Sequence, residues 1–458
     1  MKVLKITEHI EFYQSNHFFI FQKINDWKSY FKTPISDDFI AIDKENNYVS
    51  ISLNLDETQE EIEKKFICNI YSSYYIGLDR FPRLGLNVYI EPKLNTEEIK
   101  LDYIKILLES LQEPKNFDHL DGLLTTKFDE EWIEIDTALQ PLLTPFLIAQ
   151  FLSVVKDLVK KGLKKSYYEK VENLNNRIRG KILTGDQIKK NILKNQLTKT
   201  ICKYQEFGLD TEVNQFLKYV LTKVLEHLEL YSKNSELYIN LTGLSNYCTG
   251  GFYQVSQKTF RNLNCHEKNP FYKKYNKAVQ LGNQILTLVD HNISESLNKD
   301  KSLHPPFWID MSKLFELYVF KKLGERFPLD GEVKYHQKHN RQEPDFILNT
   351  KNGIQAVVDA KYKPRYQTGN PSIDDARQLA GYTRLNSIYK ELNIDPDVII
   401  PAYFIYPANL SSTKQENNTS EIFENNFNED AKLLFNEKLR LSSRYNKMYL
   451  QEIHLPSH

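Results

Sequence analysis

The 458-residue chain lacks the cysteine spacing of a disulfide framework or of a zinc-binding domain. It contains no Cys-x-x-Cys pair, and its four cysteines stand far apart, at Cys68, Cys202, Cys248 and Cys265. Structural zinc sites and disulfide-rich secreted domains place cysteines at short, repeated spacings. The sequence therefore indicates a fold that depends on its apolar core, and we expect it in a reducing cytoplasm.

Long apolar runs are also missing. No stretch approaches the roughly 20 consecutive apolar residues that a membrane-spanning helix needs. No charged segment followed by an apolar one opens the chain as a secretory leader would. We therefore expect a protein with no membrane association.

The chain has no excess of charge of either sign, since Lys plus Arg and Asp plus Glu each number 60. Only local charge can then indicate a polyanionic partner. Residues 156–203 hold 14 Lys and Arg against four acidic residues. Such an excess suits contact with the phosphates of DNA, while a solvated, charged surface is the alternative.

The phosphate-binding loop of P-loop NTPases is absent, because no Gly-x-x-x-x-Gly-Lys-Ser/Thr occurs in the sequence. That loop cradles the phosphates of a bound nucleotide with its backbone N–H groups and its lysine. Any nucleotide hydrolysis linked to this chain must therefore come from a partner.

What is present is a strand-turn-strand pattern over residues 343–363. A short apolar run precedes Asn352-Gly353, a pair that favours a tight turn, and alternating apolar residues follow it. A three-residue loop places Asp345 directly opposite Asp359, with Lys361 two residues along on the same face. A two-residue loop would put the two carboxylates on opposite faces. The sequence leaves both registers open.

Two facing carboxylates beside a lysine suit a divalent metal site for phosphodiester cleavage. Like charges opposite each other destabilise a sheet, so the pair needs a compensating cation. Mg²⁺ prefers oxygen ligands, polarises phosphoryl oxygens and lowers the pKa of a bound water. Lys361 would orient that water or stabilise developing negative charge. A surface hairpin with unrelated charges is the alternative.

Two helices are predicted around the hairpin. Residues 310–327 carry apolar positions at helical spacing, with Asp310 or Ser312 as the N-cap. In this helix Glu316 borders the buried face, so it is either a third acidic group aimed at the metal or a solvated side chain. Residues 374–392 form the second predicted helix.

Four further residues are candidate substrate contacts. Gln378 and Tyr382 are one helical turn apart on one face, where they either reach substrate or close the edge of the core. Lys363 and Arg377 are candidate phosphate contacts. A buried strand is predicted over residues 398–406, with its proline implying an edge position or a bulge.

The residues of the predicted site resemble the PD-(D/E)xK nuclease superfamily. Their sequence is similar to that of McrC, the nuclease subunit of McrBC-type restriction systems. The resemblance rests on Glu316, Pro344-Asp345, Asp359-Ala360-Lys361 and Gln378 with Tyr382. It continues upstream in Tyr75-Ile-Gly77, Val88 to Lys93, Arg179 to Ile182 and Tyr204 to Asn214.

The resemblance implies a Mg²⁺-dependent endonuclease that acts on double-stranded DNA and stimulates a partner ring of McrB-like AAA+ GTPase subunits. It implies metal ligation by Asp345, Asp359, the backbone carbonyl of Ala360 and Glu316, with Lys361 completing the catalytic set. One alternative is a non-enzymatic activator that docks on the GTPase ring and retains a structural nuclease fold. Another is a free-standing DNA repair nuclease.

The sequence predicts an α+β, multidomain chain in three parts. Residues 1–95 form a β-rich module, and the resemblance implies that this module docks on the partner. Arg80 and Arg83, in a loop between its strands, either contact the partner or are solvated. The short strands of this module are predicted at 18–21, 39–42, 48–53, 66–71 and 86–90. Residues 96–300 form a mainly helical linking region, with helices starting at Thr96 and over 138–163, 210–231 and 275–297. Residues 301–458 form the PD-(D/E)xK-like domain, a mixed sheet flanked by helices, entered through a linker at 301–306.

Overall fold

The computed structural model describes residues 3–7, 43–45, 49–55, 66–81, 86–136, 143–232, 239–295, 301–339, 341–367, 370–410, 434–435 and 439–457. The predicted strands at 18–21 and 39–42 lie outside these ranges, as does Arg83.

The chain divides into two compact units. One combines Met1–Leu142 with Asn298–His458, and the other is Leu143–Leu297. This grouping differs from the predicted division into three parts. The boundary predicted after residue 95 falls inside the first unit, whereas the one predicted after residue 300 lies close to the observed boundary.

The first half of the first unit is mostly β-structure. Its elements are β1 (Val3–Thr7), β2 (Asp43–Glu45), β3 (Val49–Leu55), β4 (Phe66–Ser72), β5 (Tyr75–Phe81), β6 (Leu86–Glu91), α1 (Tyr103–Ser110), β7 (Leu124–Thr126) and β8 (Ile133–Asp136). Strands β3, β4 and β6 confirm three of the predicted strands.

The helix predicted to start at Thr96 begins instead at Tyr103. Thr96 closes a local turn, in which its Oγ1 accepts a hydrogen bond from the Ile99 N–H at 3.0 Å. The helix is capped by Asp102, whose carboxylate accepts from the Lys105 N–H at 2.8 Å. The carboxylate at Asp102 therefore fixes the true start.

The segment predicted as a linker forms strands. β12 (Lys301–His304) pairs with β8, and β13 (Phe307–Asp310) lies between β5 and β7 in a five-stranded sheet ordered β1-β6-β5-β13-β7. Trp308 in β13 donates from Nε1 to the buried Asp79 carboxylate at 2.9 Å. The prediction of a linker over residues 301–306 was wrong, because Lys301–His304 pairs with β8 along its whole length.

The second unit contains four longer helices that pack together, one short helix and a small sheet. Its elements are α2 (Leu143–Lys161), β9 (Ser166–Asn175), β10 (Lys181–Ile182), α3 (Thr184–Lys190), β11 (Lys199–Gly208), α4 (Glu212–Ser232), α5 (Ile239–Gly251) and α6 (Lys274–Glu295). Helices α4 and α6 confirm two predicted helices. The helix predicted over 138–163 starts at Leu143, with Pro145 in its first turn, where a missing N–H costs nothing.

The basic stretch at 156–203 was predicted to be mainly helical, but the structure shows that it is not. Strands β10, β11 and β9 form an antiparallel sheet in that order, and Lys170 and Lys203 form cross-strand ion pairs with Glu206 at 3.1 Å and Glu169 at 2.6 Å. The guanidinium of Arg179 lies 4.2 Å from the Tyr204 ring centre. Part of the positive excess is thus neutralised locally, and contact with DNA stays a prediction.

The second half of the first unit is a mixed sheet with helices. Its elements are α7 (Met311–Arg326), β14 (Val333–Tyr335), β15 (Phe346–Asn349), β16 (Gln355–Ala360), α8 (Ile373–Tyr382), α9 (Asn386–Leu392), β17 (Ala402–Pro407), β18 (Leu439–Leu441) and β19 (Met448–Ile453). The strand order is β14-β15-β16-β17-β19-β18, and only the β16–β17 and β17–β19 pairs are parallel. The predicted mixed sheet with flanking helices is confirmed.

Helices cover both faces of this sheet. Phe346 in β15 contacts Phe320 of α7, with 6.0 Å between ring centres. The next residue, Ile347, belongs to a buried cluster with Leu379 of α8 and Ile388 of α9. Because successive strand residues point to opposite faces, α7 lies on one face and α8 with α9 on the other.

Two details of this region differ from the predictions. The helix predicted over 374–392 is interrupted after Tyr382, where the Thr383 hydroxyl donates to the Ala380 carbonyl at 2.9 Å and ends α8. Pro401 marks neither an edge strand nor a bulge. It precedes β17, an interior strand, and its carbonyl accepts from the Val357 N–H at 3.0 Å. Since Pro401 only accepts there, its missing N–H has no consequence.

None of the helices in the described ranges is long and apolar enough to cross a membrane.

Candidate active site

The hairpin of β15 and β16 adopts the register that aligns the two aspartates. The Thr350 N–H donates to the Ile354 carbonyl at 2.9 Å, and Gly353 adopts a φ of 73°, which glycine tolerates without strain. Phe346 faces Val358, and the next pairs follow the same three-residue loop. Of the two registers that the sequence left open, the structure therefore has the one that places Asp345 opposite Asp359.

Asp345, Asp359 and Lys361 lie together at the end of this hairpin. One carboxylate oxygen of Asp345 accepts from the backbone N–H of Ala360 at 2.8 Å. Asp359 is only 1% exposed, and its Oδ2 lies 2.9 Å from Nζ of Lys361. The structure thus brings the two acids and the lysine into one cluster, which we call the acid–lysine cluster.

The charges of this cluster shift one another's protonation. Burial, followed by repulsion from Asp359 and Glu316, raises the pKa of Asp345 well above its usual range. Burial also raises the pKa of Asp359, although Lys361 opposes the shift. For Lys361, burial favours the neutral amine, but the two aspartates outweigh it and raise the pKa. The lysine therefore stays charged at neutral pH.

The donor set of the cluster fits a cation. Within the described part of the chain, no group of three or more His, Cys, Asp or Glu side chains is arranged to hold a metal ion. Mg²⁺, however, is usually held by one or two carboxylates together with waters and substrate phosphates. Oδ2 of Asp359 is buried without a hydrogen bond of normal geometry, and its charged neighbour is the Lys361 ammonium group at 2.9 Å. This oxygen keeps further lone pairs with which it could ligate a cation.

Glu316 lies on α7, close enough for its charge to raise the pKa of Asp345. The helix begins at Asp310, one of the two predicted caps, whose carboxylate accepts from the Lys313 N–H at 3.0 Å. Oε2 of Glu316 lies 3.2 Å from Nε2 of His336. Glu316 is therefore partly exposed, and a histidine holds it beside the aspartates, while its role as a metal ligand stays a prediction.

Gln378 and Tyr382 extend the cluster along α8. Nζ of Lys361 lies 3.4 Å from Oε1 of Gln378, to which it donates, and Nε2 of Gln378 donates to the Tyr382 hydroxyl at 2.8 Å. Both helix residues thus lie on one face, toward the lysine, as their spacing predicted.

Lys363 and Arg377 occupy different environments. Lys363 is 8% exposed and donates from Nζ to the Asp375 carboxylate at 2.7 Å. The same carboxylate accepts from the hydroxyls of Tyr366 and Ser372, so Lys363 belongs to a buried network beside the cluster. Arg377 is 75% exposed on α8, with Asp374 as a distant ion partner at 3.9 Å.

The predicted loop position of Arg80 is wrong. Arg80 lies within β5, opposite Asn87 of β6, because the strand continues to Phe81. Its side chain is 19% exposed and pairs with Glu131.

Sequence reasoning missed His336 and Asp375, which contact the predicted site residues Glu316 and Lys363, and Glu343, which contacts His336. Glu343 stood at the start of the hairpin segment, and Asp375 lies one turn before Gln378, so position offered some signal for both. Nothing in the local pattern marks His336, because its contacts join residues that are distant in the sequence.

Fold and site together define an α+β protein whose mixed sheet presents two aspartates and a lysine on one face. The sequence model described as "McrBC 5-methylcytosine restriction system component" matches residues 72–392. This span is more than half of the chain and includes the acid–lysine cluster, and the chain belongs to this family.

Two solved structures are similar to the chain, both from Thermococcus gammatolerans. One is a refined half-complex from the tetradecameric assembly of McrB AAA+ hexamers with bound McrC, at 17% identity over 99% of this chain and 94% of that one, with a TM-score of 0.35. The other is the McrBC complex determined by cryo-EM, at 16% identity over 71% and 88%, with a TM-score of 0.27. No curated protein sequence matches significantly.

Proposed function

We propose that this chain is the Mg²⁺-dependent DNA endonuclease subunit of a McrBC-type restriction system, with a PD-(D/E)xK-like catalytic domain. It acts on double-stranded DNA together with a McrB-like AAA+ GTPase ring, which it stimulates. The observation that carries the proposal is the hairpin register that places Asp345 opposite Asp359 and beside Lys361. Family membership over residues 72–392 supports the assignment to this type of system.

The residues that would hold the ion are Asp345, Asp359 and the backbone carbonyl of Ala360, with Glu316 beside them. When bound, Mg²⁺ supplies polarisation of the phosphoryl oxygen and a coordinated water of lowered pKa. Two facing carboxylates repel each other in the absence of a cation, so the same ion would also stabilise the hairpin.

Lys361 is the electrostatic catalyst of the proposal. Its ammonium group stays charged, because the two aspartates raise its pKa, and it stabilises the negative charge that develops on the phosphate. Oε1 of Gln378 accepts a hydrogen bond from Nζ and limits where the ammonium group points. Tyr382 in turn accepts from Gln378 and restrains that amide.

GTP hydrolysis belongs to the partner in this proposal, because the chain lacks the P-loop sequence. The similar solved complexes are described as McrB AAA+ hexamers with bound McrC. The chain would occupy the corresponding place in an assembly with its own GTPase ring.

A non-enzymatic activator of the GTPase ring is the second candidate function. It is favoured by one observation, that Glu316 does not join the two aspartates in a three-carboxylate metal group within the described residues. In that case the hairpin would be structural, and the chain would act only by docking on its partner.

Substitution of the cluster in the reconstituted complex separates the two functions. We expect Asp359→Ala and Lys361→Ala each to reduce cleavage of 5-methylcytosine-containing duplex DNA by about 100- to 1,000-fold, the usual cost of losing an electrostatic contact to the transition state. Stimulation of the partner's GTPase should persist, because neither change affects docking.

Matched controls are Asp374→Ala and Lys390→Ala, which remove exposed charges from α8 and α9. Both should cleave at the wild-type rate. Unchanged cleavage by the cluster variants would eliminate the hairpin as the active site. A wild-type complex that stimulates GTP hydrolysis but never cleaves DNA with Mg²⁺ would favour the activator.

A further inference from the structure

His336 directly follows β14 and has a backbone conformation that side-chain-bearing residues rarely adopt. Its φ is 49°, in the left-handed region, where a residue other than glycine is uncommon and where functional sites concentrate strain. Its backbone N–H donates to the carbonyl of Asp345 at 3.0 Å. The strained residue is therefore tied to one of the two aspartates of the acid–lysine cluster.

The imidazole ring of His336 lies between two glutamates. Its Nε2 is 3.2 Å from Oε2 of Glu316, and its Nδ1 is 3.4 Å from Oε1 of Glu343. One face is covered by Tyr335, whose ring centre is 4.2 Å away. A single ring thus joins α7, which carries Glu316, to the segment that leads into β15.

Without this contact, Glu316 has reason to turn away from the cluster. Its carboxylate and that of Asp345 carry the same charge and repel each other. A glutamate has several rotatable bonds, and its side chain is 21% exposed here, so solvent offers a competing position. A ring nitrogen that donates to Oε2 counteracts both effects.

We propose that His336 is a positioning residue of the active site, whose ring holds the Glu316 carboxylate toward Asp345 and the bound metal ion. The inference rests on the proposed nuclease function. His336 contacts the acidic residues and acts through Glu316, in the way that partners of metal-binding carboxylates orient them. Its backbone bond to Asp345 links the position of that aspartate to the direction of Glu316.

Three substitutions distinguish this role from a purely structural one. His336→Gln keeps a donor near the place of Nε2, which contacts Glu316. His336→Asn keeps a donor only near the place of Nδ1, which contacts Glu343, yet asparagine tolerates positive φ better than glutamine. His336→Ala keeps neither donor. If His336 positions Glu316, His336→Gln should retain more metal affinity and cleavage than His336→Asn. If His336 matters only for its backbone conformation, His336→Asn should retain more than His336→Gln.

Two readouts are measured on full-length variants. The first is the affinity of the chain alone for Mg²⁺ and Mn²⁺ by titration calorimetry, and the second is single-turnover DNA cleavage in the reconstituted complex. We expect His336→Ala and His336→Asn to lose about 10- to 100-fold in each, as is usual when a partner of a metal ligand is removed. His336→Gln should stay within about threefold of the wild type on that scale.

Arg341→Ala serves as the control. It removes an exposed side chain at another positive φ, 66°, in the same segment. This change should leave metal affinity at the wild-type value. Melting curves of all variants identify any that fail to fold. If His336→Ala does not fold, the comparison of His336→Gln with His336→Asn still decides between the two roles.

The outcomes separate this inference from the function beneath it. If Asp359→Ala abolishes cleavage while His336→Ala binds Mg²⁺ and cleaves as the wild type does, the positioning role is overturned and the nuclease stands. The positioning role is also overturned if His336→Gln and His336→Asn lose equal metal affinity and cleavage, or if His336→Asn retains more of both. If Asp359→Ala cleaves normally, the nuclease proposal fails and the role of His336 fails with it.

Discussion

The carboxylates of Asp345 and Asp359 face each other across a ladder that would be more stable without one of the charges. Burial raises the pKa of both groups, and repulsion from Asp359 and Glu316 adds to this effect at Asp345, whereas Lys361 offsets only part of it. Under the proposed function, a divalent cation would relieve this repulsion, and the metal-free cluster would be a local source of instability.

This arrangement predicts that the metal-free chain loses stability as pH rises. Between the ordinary aspartate pKa of about 3.9 and the raised values, the folded chain binds more protons than the unfolded one. Stability therefore falls with increasing pH across that interval. Asp345→Asn should remove much of this dependence and raise the melting temperature at neutral pH, while it lowers cleavage at least about 100-fold.

Thermal denaturation in EDTA, followed across the acidic to neutral range, measures this effect. Adding Mg²⁺ should stabilise the wild type but not Asp345→Asn. An Asn variant that melts below the wild type at every pH would contradict the electrostatic account, since the amide oxygen can still accept from the Ala360 N–H.

A second prediction at this scale concerns the hydroxyl of Tyr382. Tyr382→Phe removes the acceptor for Nε2 of Gln378, so the amide restrains Lys361 less well. A hydrogen bond contributes about 1 kcal/mol, and we expect about a fivefold lower kcat with GTPase stimulation unchanged. Tyr389→Phe is the matched control. Tyr389 lies on α9, and its hydroxyl donates to the Val398 carbonyl. Equal effects of the two changes on cleavage would contradict the role given to Tyr382.

At the scale of elements, the hairpin was predictable because its turn chemistry is local: Gly353 and the alternation after it indicate the two strands. Its register was not predictable, because loops of two and three residues both fit the same sequence. Glu316 was located on its helix by periodicity, but its partner was not. The contact with His336 crosses two elements whose relative placement depends on packing, which a local pattern does not encode.

Other elements escaped prediction for a related reason. Residues 166–208 are rich in lysine and polar residues, and their alternation with period two was hidden by that composition. Residues 301–306 were predicted to be a linker because two prolines end the segment, yet β12 within it is paired with β8. In both cases the partner strand, distant in sequence, decided the structure.

The network around Asp375 predicts how α8 is held against the sheet. Asp375 accepts from Lys363, Tyr366 and the N-cap residue Ser372, and its pKa is lowered because these contacts outweigh the effect of burial. Asp375→Ala leaves Lys363 buried without its acid, which we expect to cost about 3–5 kcal/mol. Denaturant unfolding measures the loss, and cleavage should fall as Gln378 and Tyr382 shift.

A double variant tests the cause of that loss. Lys363→Met with Asp375→Leu removes both charges and should recover most of the stability, since apolar replacement of a buried ion pair is often neutral. If the double variant is as unstable as Asp375→Ala, the hydroxyl contacts rather than the unpaired lysine determine the effect.

At the scale of the whole molecule, the first unit is built from the two ends of the described chain. β13, which follows residue 300, is central in a sheet with β5 and β7. Helix α7 packs on α1, and the amide of Asn116 donates to the Leu317 carbonyl at 2.9 Å. The acid–lysine cluster therefore belongs to a structure that residues 301–458 do not complete by themselves.

A deletion of residues 1–95 is consequently a poor test of partner docking. It removes β5 and β6 and leaves β13 unpaired on one side. Loss of GTPase stimulation would then follow from unfolding as readily as from loss of a docking surface. Substitution of an exposed side chain is required instead.

The division into units yields the last prediction. Residues 143–297 form a continuous unit with four long helices around their own core, so this fragment should unfold cooperatively in thermal denaturation followed by circular dichroism. Residues 301–458 should not, because β13 lacks β5 and β7 and α7 lacks α1, which leaves apolar side chains such as Trp308 exposed. Strong binding of a hydrophobic dye and no cooperative transition are expected for that fragment. A 301–458 fragment that melts cooperatively and binds Mg²⁺ would show instead that the acid–lysine cluster depends only on its own sheet.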